Sequence, residues 1–441
     1  MAPKPTLFAC PDDTIQGRWW RGDRTAGGIV SAGNWDPQRR DETVTGFATR
    51  AVHAGEHGTR PPFTPTSTPI YASSSFTAPS PEDLDAVFSG ERAGYVYSRY
   101  ANPTTNSFEE AVAALEEADT AVAFGSGMAA LHAALIALEV RAGDCVLAAR
   151  DLYGATHTLL QSILTPLGLR VETMPMADPA AVGQRCREQG VRVVLLETIS
   201  NPLLHVADVP AIVAAARAAG ALVVVDNTFA TPYLCRPLAW GADAVVHSVT
   251  KYLAGHGDVT AGVVCAGDEL ATPLRMTLRL VGAVLSPFES WLALRGLKTM
   301  PLRMRQHCAG AAAVAVWLGE QPQVARVYYP GLACHPDHAI AERLFAGRGY
   351  GGVVAFDLVD ASREAAFNFL RKIRLVLPAT TLGDVYSLAL YPAMSSHRGL
   401  SPAARQAAGI GDGLLRLAVG IEDVEDILAD LAQALQSGES R

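Results

Sequence analysis

The stretch His247-Ser248-Val249-Thr250-Lys251-Tyr252 follows a short apolar run at 244–246. A second apolar run upstream ends in the same way, in Val223-Val224-Val225-Asp226-Asn227-Thr228. Short continuous apolar runs are typical of strands that are buried on both faces of a parallel sheet. In such a sheet the carboxyl ends of the strands form the edge where ligands bind. The two stretches therefore predict an α/β protein with Asp226 and Lys251 in one ligand site.

A lysine, an aspartate and two hydroxyl groups at one edge of a sheet suit the cofactor pyridoxal 5'-phosphate (PLP). Lys251 would form a Schiff base with the PLP aldehyde, which requires a neutral amine and hence a pKa lowered by burial. Asp226 would keep a proton on the pyridine nitrogen, while Ser248 and Thr250 would bind the phosphate. By itself Lys251 would be a surface lysine at a strand end, so the prediction depends on the combination.

Two further stretches are candidates for binding the phosphate group. Gly125-Ser126-Gly127-Met128 lies between a predicted strand and a predicted helix, where backbone N–H groups bind phosphate, although a plain tight turn fits equally well. Tyr97 and Arg99 are separated by one residue, so in an extended chain both side chains point the same way toward an anion. Alone, Arg99 would be an exposed loop residue.

Three polar residues near other apolar runs complete the candidate site. Tyr153 follows a predicted strand and could stack on a cofactor ring, although a tyrosine is otherwise a core or surface residue. Asn201 stands with Glu197 at the end of another strand. Arg416 interrupts the apolar run 414–419, where an arginine either extends to solvent or binds an anion such as a substrate carboxylate.

The composition limits the possible partners. Hydrophobic residues make up 49% of the 441 residues and charged residues 18%, so a large core is expected. The net charge of −8 argues against nucleic acid as a partner, and no apolar run reaches the ~18–20 residues of a membrane span. The N-terminus carries no recognisable secretory signal. The seven scattered cysteines indicate reduced thiols, and we expect a cytoplasmic protein.

One short stretch is rich in metal-binding residue types, Cys334-His335-Pro336-Asp337-His338. A structural zinc site normally takes a second pair of cysteine or histidine ligands from elsewhere in the chain. We interpret this stretch as a polar loop, and we predict no metal.

The chain is predicted to have four parts. Residues 1–45 are an irregular extension, partly disordered, and 46–105 are a Pro-, Thr- and Ser-rich arm with little helical periodicity that contacts a neighbouring subunit. Alternating strands and helices at 106–298 indicate a large PLP-binding domain with a mostly parallel sheet. A long helix at about 302–318 then opens a smaller α+β domain at 299–441.

The chain resembles the cystathionine γ-synthase/γ-lyase family, the PLP enzymes of cysteine and methionine metabolism, from about 47 to about 435. The resemblance implies PLP-dependent transferase fold type I, the aspartate aminotransferase-like fold. The matching stretches are Tyr97-Ser98-Arg99, Ser126-Gly127-Met128, Leu152-Tyr153-Gly154, Val225-Asp226-Asn227-Thr228, Thr250-Lys251-Tyr252, Thr381-Leu382-Gly383 and Gly420-Ile421-Glu422-Asp423.

The resemblance also implies a role for each matching residue. The catalytic residues are Lys251, which carries PLP, Asp226 at the ring nitrogen, and Tyr153, which stacks on the ring and relays protons. Tyr97 and Arg99 reach the phosphate from a neighbouring subunit, in a homotetramer of two catalytic dimers with shared active sites. The other cofactor-binding residues are Ser126, Gly127, Met128, Asn201, Ser248 and Thr250. The substrate-binding residues are Asn201, Thr381, Tyr386 and Arg416.

Within the family, the chain is most similar to the methionine γ-lyases. The similarity lies in Gly255-His256-Gly257-Asp258, in 282–287 and in Gly383-Asp384. The chain departs from them at four positions: Ala155 in place of a cysteine, Ala254 in place of a more polar residue, Thr381 in place of a serine, and Tyr386 in place of a glutamate near the substrate side chain.

The expected reaction is γ-elimination from methionine, cystathionine or a homoserine-type amino acid. Its products would be a 2-oxo acid, ammonia and a thiol or other leaving group. The alternative is γ-replacement, as in cystathionine γ-synthases and O-acylhomoserine sulfhydrylases, since the same chemistry serves both. A third hypothesis, a non-catalytic PLP-binding or regulatory protein, fits poorly with the complete set of Lys251, Asp226 and Arg416.

Overall fold

The computed structural model of the protein describes residues 46–55, 65–395, 398, 405–406 and 409–436. The extension predicted at 1–45 therefore lies outside the described residues. The strands of the described part are β1 (Thr120–Phe124), β2 (Cys145–Ala149), β3 (Arg170–Met174), β4 (Val191–Glu197), β5 (Leu222–Asp226), β6 (Ala244–Ser248), β7 (Gly262–Ala266), β8 (Val324–Tyr328), β9 (Val353–Leu358), β10 (Leu377–Pro378), β11 (Leu388–Leu390) and β12 (Leu414–Ala418).

Helices connect most of these strands. The α-helices of the described part are α1 (Phe47–His53), α2 (Pro81–Ser89), α3 (Pro103–Glu116), α4 (Gly127–Ala137), α5 (Gly154–Thr158), α6 (Pro179–Gln189), α7 (Val209–Arg217), α8 (Thr231–Leu234), α9 (Ala271–Val281), α10 (Pro287–Gly319), α11 (His338–Phe345), α12 (Arg363–Lys372) and α13 (Val424–Leu435). A π-helical segment, Leu159–Leu164, continues α5. Short 3-10 helices lie at Pro237–Trp240, Asp268–Leu270 and Pro392–Met394.

The larger sheet of the described part has seven strands in the order β1-β7-β6-β5-β4-β2-β3. Its paired strands run parallel except β7, which is antiparallel to both of its neighbours. Its central strands are fully buried, as their continuous apolar runs predict: Val223, Val224 and Val225 have no exposed surface. The predicted α/β class with a mostly parallel sheet is confirmed.

A second sheet of the described part contains five strands in the order β10-β11-β12-β9-β8, with its own apolar core around Phe356 and Leu417. It is antiparallel except for the β10–β11 pair. The helix predicted at 302–318 begins earlier, at Pro287, and contains Pro301. A proline inside a helix removes a backbone donor, and here burial of one face of α10 offsets that loss. The predicted domain boundary at 298/299 falls inside this helix and stays a prediction.

The predicted arm contains helices that its composition did not indicate. α1 buries Ala51, and α2 starts at Pro81 after Ser80, whose Oγ accepts a hydrogen bond from Asp83 N at 3.0 Å. A serine cap followed by proline is a standard start of a helix. The remainder of 65–102 is largely extended or irregular. Contact of this segment with a neighbouring subunit stays a prediction.

The register of the larger sheet brings polar residues to one edge. Glu197 is paired with Asp226, and Asp226 with Val246, so that β4, β5 and β6 end side by side. The first turn of α4 lies at this edge too, because Gly127 packs against Ser248. None of the helices that the structure describes is long and apolar enough to cross a membrane.

Candidate active site

A cavity of about 470 Å³ lies at the carboxyl ends of the parallel strands. It contains most of the residues that the sequence singled out. The predicted residues that line it are Ser126, Gly127, Met128, Tyr153, Asn201, Asp226, Ser248, Thr250, Lys251 and Arg416.

Lys251 lies in the turn after β6, with its amino group facing the cavity. Nζ donates a hydrogen bond to Thr381 Oγ1 at 2.8 Å. Burial and the positive charge of Arg416 lower the pKa of Lys251, while Asp384 opposes the shift. The turn itself is held by Thr250, whose hydroxyl donates to the carbonyl of Ala261 and accepts from its N–H. A partly buried lysine with a lowered pKa is what nucleophilic and proton-transfer roles require.

Asp226 ends β5 and faces the same cavity. Its Oδ1 accepts two hydrogen bonds from Thr228, one from the backbone N–H at 2.9 Å and one from the hydroxyl at 2.5 Å. Burial raises the pKa of Asp226, and the bonds from Thr228 and the nearby His247 counteract that rise. The Thr228 hydroxyl also accepts from Ser248 N at 2.8 Å. This network leaves Oδ2 for a group in the cavity.

The start of α4 forms a cradle for an anion. Ser126 caps the helix, with its Oγ accepting from Ala129 N at 3.1 Å. A Cβ atom on Gly127 would lie 2.9 Å from Ser248 Cβ, so only glycine allows the helix to start this close to β6. Free N–H groups and the positive end of the helix dipole favour a phosphate there. The hydroxyls of Ser248 and Thr250 line the same wall.

Arg416 is a buried cation on the opposite side, with 3% of its surface exposed. Nη1 donates to Asn201 Oδ1 and Nη2 to the carbonyl of Thr381, each at 3.0 Å. Among the described residues, its buried Nε has no hydrogen-bond partner. Burial lowers the pKa of Arg416 to about 10. A buried guanidinium with an unsatisfied donor suits a ligand carboxylate.

Tyr153 and Glu197 connect the two sides. Tyr153 is 43% exposed at the cavity, and its backbone N–H donates to Glu197 Oε1 at 2.6 Å. Glu197 is 8% exposed; burial, and then the charge of Asp226, raise its pKa well above the usual value. Glu197 stands at a predicted strand end in the sequence but was not among the predicted site residues. Its position at the end of a continuous apolar strand was the available signal.

Four predicted residues do not line this cavity: Tyr97, Arg99, Tyr386 and Thr381, although Thr381 bonds to both Lys251 and Arg416. Tyr97 is exposed, and Arg99 donates from Nη1 to the carbonyl of Arg279 at 2.7 Å, in a separate groove beside α9. Tyr386 is 52% exposed. Other lining residues were not predicted, because their types carry no chemical signature and only the fold brings them to the cavity. They are Leu131, Thr156, Ile199, Thr228, Phe229, Thr380, Leu382 and Ser395.

The loop with metal-binding residue types is engaged in protein contacts. Asp337 Oδ2 accepts from His205 Nδ1 at 3.0 Å and from Val206 N at 3.1 Å. His338 Nδ1 lies 2.8 Å from the carbonyl of Pro330. In the part of the chain that the structure describes, no group of three or more His, Cys, Asp or Glu residues is arranged to hold a metal ion.

Comparisons with known proteins agree with this geometry. The family model described as Cys/Met metabolism PLP-dependent enzyme matches residues 48–436. An O-succinylhomoserine sulfhydrylase of Pseudomonas aeruginosa is 43% identical over 404 residues, 91% of this chain and 98% of the relative. An L-methionine gamma-lyase of Pseudomonas putida is 43% identical over 400 residues, with 89% and 98% covered. The solved cystathionine gamma synthase of Xanthomonas oryzae pv. oryzae superposes with a TM-score of 0.83 at 38% identity, with 89% and 98% covered.

The fold and the site together define a PLP-dependent enzyme: the residues present fit a phosphate at α4, a ring nitrogen at Asp226 and an aldehyde at Lys251. The chain belongs to the Cys/Met metabolism PLP-dependent enzyme family. The predicted family and cofactor are therefore confirmed. The family and its relatives are lyases and transferases of trans-sulfuration, and both γ-elimination and γ-replacement fit this chain.

Proposed function

We propose that the protein catalyses γ-elimination from a γ-substituted amino acid of the methionine or homoserine type. The products are a 2-oxo acid, ammonia and a thiol or other leaving group. The observation that carries this proposal is the joint placement of Arg416 and Lys251 in one cavity, bridged by Thr381. Arg416 would hold the α-carboxylate while Lys251 acts at Cα.

PLP, when bound, supplies an aldehyde that captures the substrate amine and a ring that withdraws electrons. Its phosphate would lie at the start of α4, against Gly127, Met128, Ser248 and Thr250. Asp226 would keep the ring nitrogen protonated, with its Oδ1 already held by Thr228. Lys251, freed by the substrate, would take the Cα proton, and its lowered pKa favours the neutral amine that this step requires.

The γ-elimination also requires the removal of a proton from Cβ and the donation of a proton to the leaving group. Lys251 would act at Cβ as well as Cα, and Tyr153, which also lines the cavity, is the candidate to protonate the leaving group. Among the described lining residues the cations are Lys251 and Arg416, and both act near Cα. The rest of the wall includes Leu131, Ile199 and Leu382. This wall favours an uncharged γ-substituent, such as a thioether.

Product analysis tests the reaction. Purified, PLP-loaded enzyme is incubated with methionine, cystathionine, O-acetylhomoserine and O-succinylhomoserine, and 2-oxobutanoate, ammonia and thiol are measured. We expect 2-oxobutanoate with methionine above the level with cystathionine. The absence of 2-oxobutanoate with all four substrates would contradict γ-elimination.

γ-Replacement is the second candidate, and the 43% identity to an O-succinylhomoserine sulfhydrylase favours it. Both reactions require the same Cα and Cβ proton transfers, so the cavity serves both. Adding sulfide or a small thiol to the O-acylhomoserine reactions distinguishes them. Formation of a new sulfur amino acid at the expense of 2-oxobutanoate would assign the protein as a transferase.

We also propose a homotetramer of catalytic dimers with shared active sites. Tyr97 and Arg99 match cofactor-binding residues of the family yet lie outside the cavity of their own chain. The groove that holds Arg99 includes exposed apolar residues of α9, among them Leu280, which is 79% exposed. An apolar surface beside cations is suited to a second copy of the chain.

Hybrid enzymes test the shared site. Arg99→Ala and Lys251→Ala subunits are each expected to be inactive as pure oligomers. In a mixed oligomer, one site combines the intact Lys251 of the Arg99→Ala subunit with the intact Arg99 of the Lys251→Ala subunit. Activity should therefore reappear on mixing. No recovery in hybrids of verified composition would contradict a shared site, and light scattering measures the oligomer mass.

We finally propose that the protein works in the cytoplasm. The described cysteines are free thiols, and five of them are buried. Reduced thiols are typical of that compartment. Cell fractionation with antibody detection tests the location.

A further inference from the structure

Asp384 is a buried carboxylate that the reaction described above does not use. It is 4% exposed, and its buried Oδ1 has no hydrogen-bond partner among the described residues. Leaving a buried carboxylate oxygen without a hydrogen bond is unfavourable. Such a group is retained only where a neighbouring charge or a function compensates.

Asp384 packs against the turn after β6, which contains Lys251. The preceding Gly383 packs against this turn so closely that a Cβ there would lie 2.6 Å from the backbone nitrogen of Tyr252. Val385 N donates to the carbonyl of Gly255 at 3.0 Å. A Cβ on Gly257 would lie 3.4 Å from Asp384 Oδ2. The chain neighbours of Asp384, Gly383 and Val385, therefore hold it against the residues that follow Lys251.

Two cations lie near this carboxylate, and they differ in how many hydrogen bonds they already make. Arg303 on α10 is buried and donates to the carbonyls of Tyr252, Leu253 and Gly296 and, from Nε, to the Thr299 hydroxyl, so most of its donors are already bonded. Lys251 has the hydroxyl of Thr381 as its hydrogen-bond partner. Lys251 is also the cation whose charge changes during the proposed reaction. The titratable and charged groups that face Asp384 are Lys251, His256 and Asp258 from the turn after β6, and Arg303 from α10.

We propose that Asp384 is a positioning residue whose carboxylate provides the counter-charge for the protonated nitrogen of Lys251. This inference rests on the proposed function, because it requires Lys251 to be the base. When Lys251 takes the Cα proton, the C–H bond breaks, an N–H bond forms and the electron pair stays with the substrate carbon. The new positive charge on Nζ is then stabilised by the Asp384 carboxylate and by the Thr381 hydroxyl that accepts from Nζ, while the charge of Arg416 opposes it.

Arg416 gives this arrangement a dependence on substrate. Its positive charge disfavours protonation of Lys251, whereas Asp384 favours it. A substrate carboxylate bound to Arg416 neutralises the first effect and leaves the second. Substrate binding would therefore make Lys251 a stronger base at the moment when it has to remove a proton.

The holoenzyme provides a readout that does not depend on turnover. PLP is expected to be attached through Lys251 Nζ, so the visible absorbance of the bound cofactor reports whether that nitrogen carries a proton. In Asp384→Asn the counter-charge is lost and the shape is kept. We expect the pH midpoint of the absorbance change to fall by about one unit. The acid limb of the kcat profile, which reflects protonation of free Lys251, should move to lower pH by a similar amount.

Asp258→Asn is the matched control, because Asp258 is an exposed carboxylate in the same turn. Solvent screens its charge, so its midpoint should stay within about 0.3 units of the wild type. Asp384→Glu retains the charge, so its midpoint should stay close to that of the wild type. Should the asparagine variant not fold, Asp384→Ser replaces it with the same expected result.

The outcomes separate this inference from the proposed function. A midpoint that is unchanged in a folded, charge-free variant at position 384 overturns the role of Asp384 and leaves Lys251 as the base. Equal shifts in the Asp258 and Asp384 variants overturn it too, because they indicate a general field effect. If the visible absorbance of the wild-type holoenzyme shows no pH-dependent change that requires Lys251, both the role of Asp384 and the proposed role of Lys251 are overturned.

Discussion

The two sides of the cavity are built in different ways. On the cofactor side, the bonds join residues close in the chain: Thr228 holds Asp226, two positions away, and Ser248 bonds to Thr228 across 20 positions. On the substrate side, Arg416 bonds to Asn201 across 215 positions, and Thr381 bonds across 130 positions to Lys251 of the cofactor side. The cofactor side is therefore a local product of neighbouring strand ends. The substrate side exists only because residues of the second sheet and its loops pack onto the first.

This difference predicts different consequences for substitutions. A change on the cofactor side should remove chemistry or cofactor binding, while a change on the substrate side should mainly weaken substrate binding and alignment. Four substitutions follow, from the largest expected effect to the smallest; the first three test that division, and the fourth concerns an ion pair outside the cavity.

Lys251→Ala should reduce kcat by about 10⁴-fold or more, because the variant lacks the amine that removes the Cα proton. It should also lose the visible absorbance of covalently bound PLP, measured after dialysis. Lys372→Ala is the control, since Lys372 bonds to the carbonyl of Gln436 and does not line the cavity. A coloured, active Lys251→Ala enzyme would refute the cofactor side as described.

Arg416→Lys should lower kcat/KM by about 10²–10³-fold, mostly through KM, because lysine keeps the charge but cannot bind a carboxylate in a bidentate manner. Steady-state kinetics with the best substrate measure the effect, and the absorbance of bound PLP should stay unchanged. Arg326→Lys, at an exposed position, is the control. A collapse of kcat with KM unchanged would show that the two sides are not separable.

Gly127→Ala should weaken PLP binding by about tenfold, since the new Cβ would meet Ser248 Cβ at 2.9 Å and push α4 away from the phosphate. Titration of the PLP-free protein with PLP measures the affinity. Gly319→Ala is the matched control, because no atom lies within 4 Å of the position of its Cβ. Equal affinities in the two variants would mean that the cradle at α4 tolerates a methyl group.

His205→Gln should have the smallest effect, a loss of about 0.5 kcal/mol of stability, or about 1 °C, because this ion pair is partly exposed. The hydrogen bond to Asp337 raises the pKa of His205 above its ordinary 6.5, so this contribution is present below pH 6.5 and disappears as pH rises through the raised value. The pKa of Asp337 is lowered: burial opposes the shift, and the bonds from His205 and Val206 outweigh it. That contribution is present above 3.8 and disappears only at lower pH.

The pair therefore stabilises the loop after Asn201 most between about pH 4 and 6.5. The difference in melting temperature between His205→Gln and wild type should be larger at pH 5.5 than at pH 8.5. A difference that is larger at pH 8.5 would mean that His205 acts through packing and not through its charge.

Much of the cofactor side was predictable, because Lys251, Asp226, Ser248 and Gly127 follow short apolar strands with their own signatures. Glu197 was harder: it lies beside Asp226 only because β4 and β5 pair in that register. The start of α10 was wrong, because a proline at 301 is a strong local signal against a helix, and the burial of Met300, Met304 and Leu297 outweighs it. β3, with its polar residues Arg170 and Glu172, was missed, since an edge strand needs no continuous apolar run.

The sequence by itself determined the class of the fold and the cofactor, and it predicts which lysine would bind that cofactor, because backbone propensity, burial and motif chemistry act over a few residues. Only the tertiary structure decided which distant groups share a charge environment. The approach of both Arg416 and Asp384 to Lys251, where their charges have opposite effects on its pKa, depends on how two sheets pack together. Electrostatic interactions depend on distance in space and on burial, and neither quantity is encoded in any single stretch of the chain.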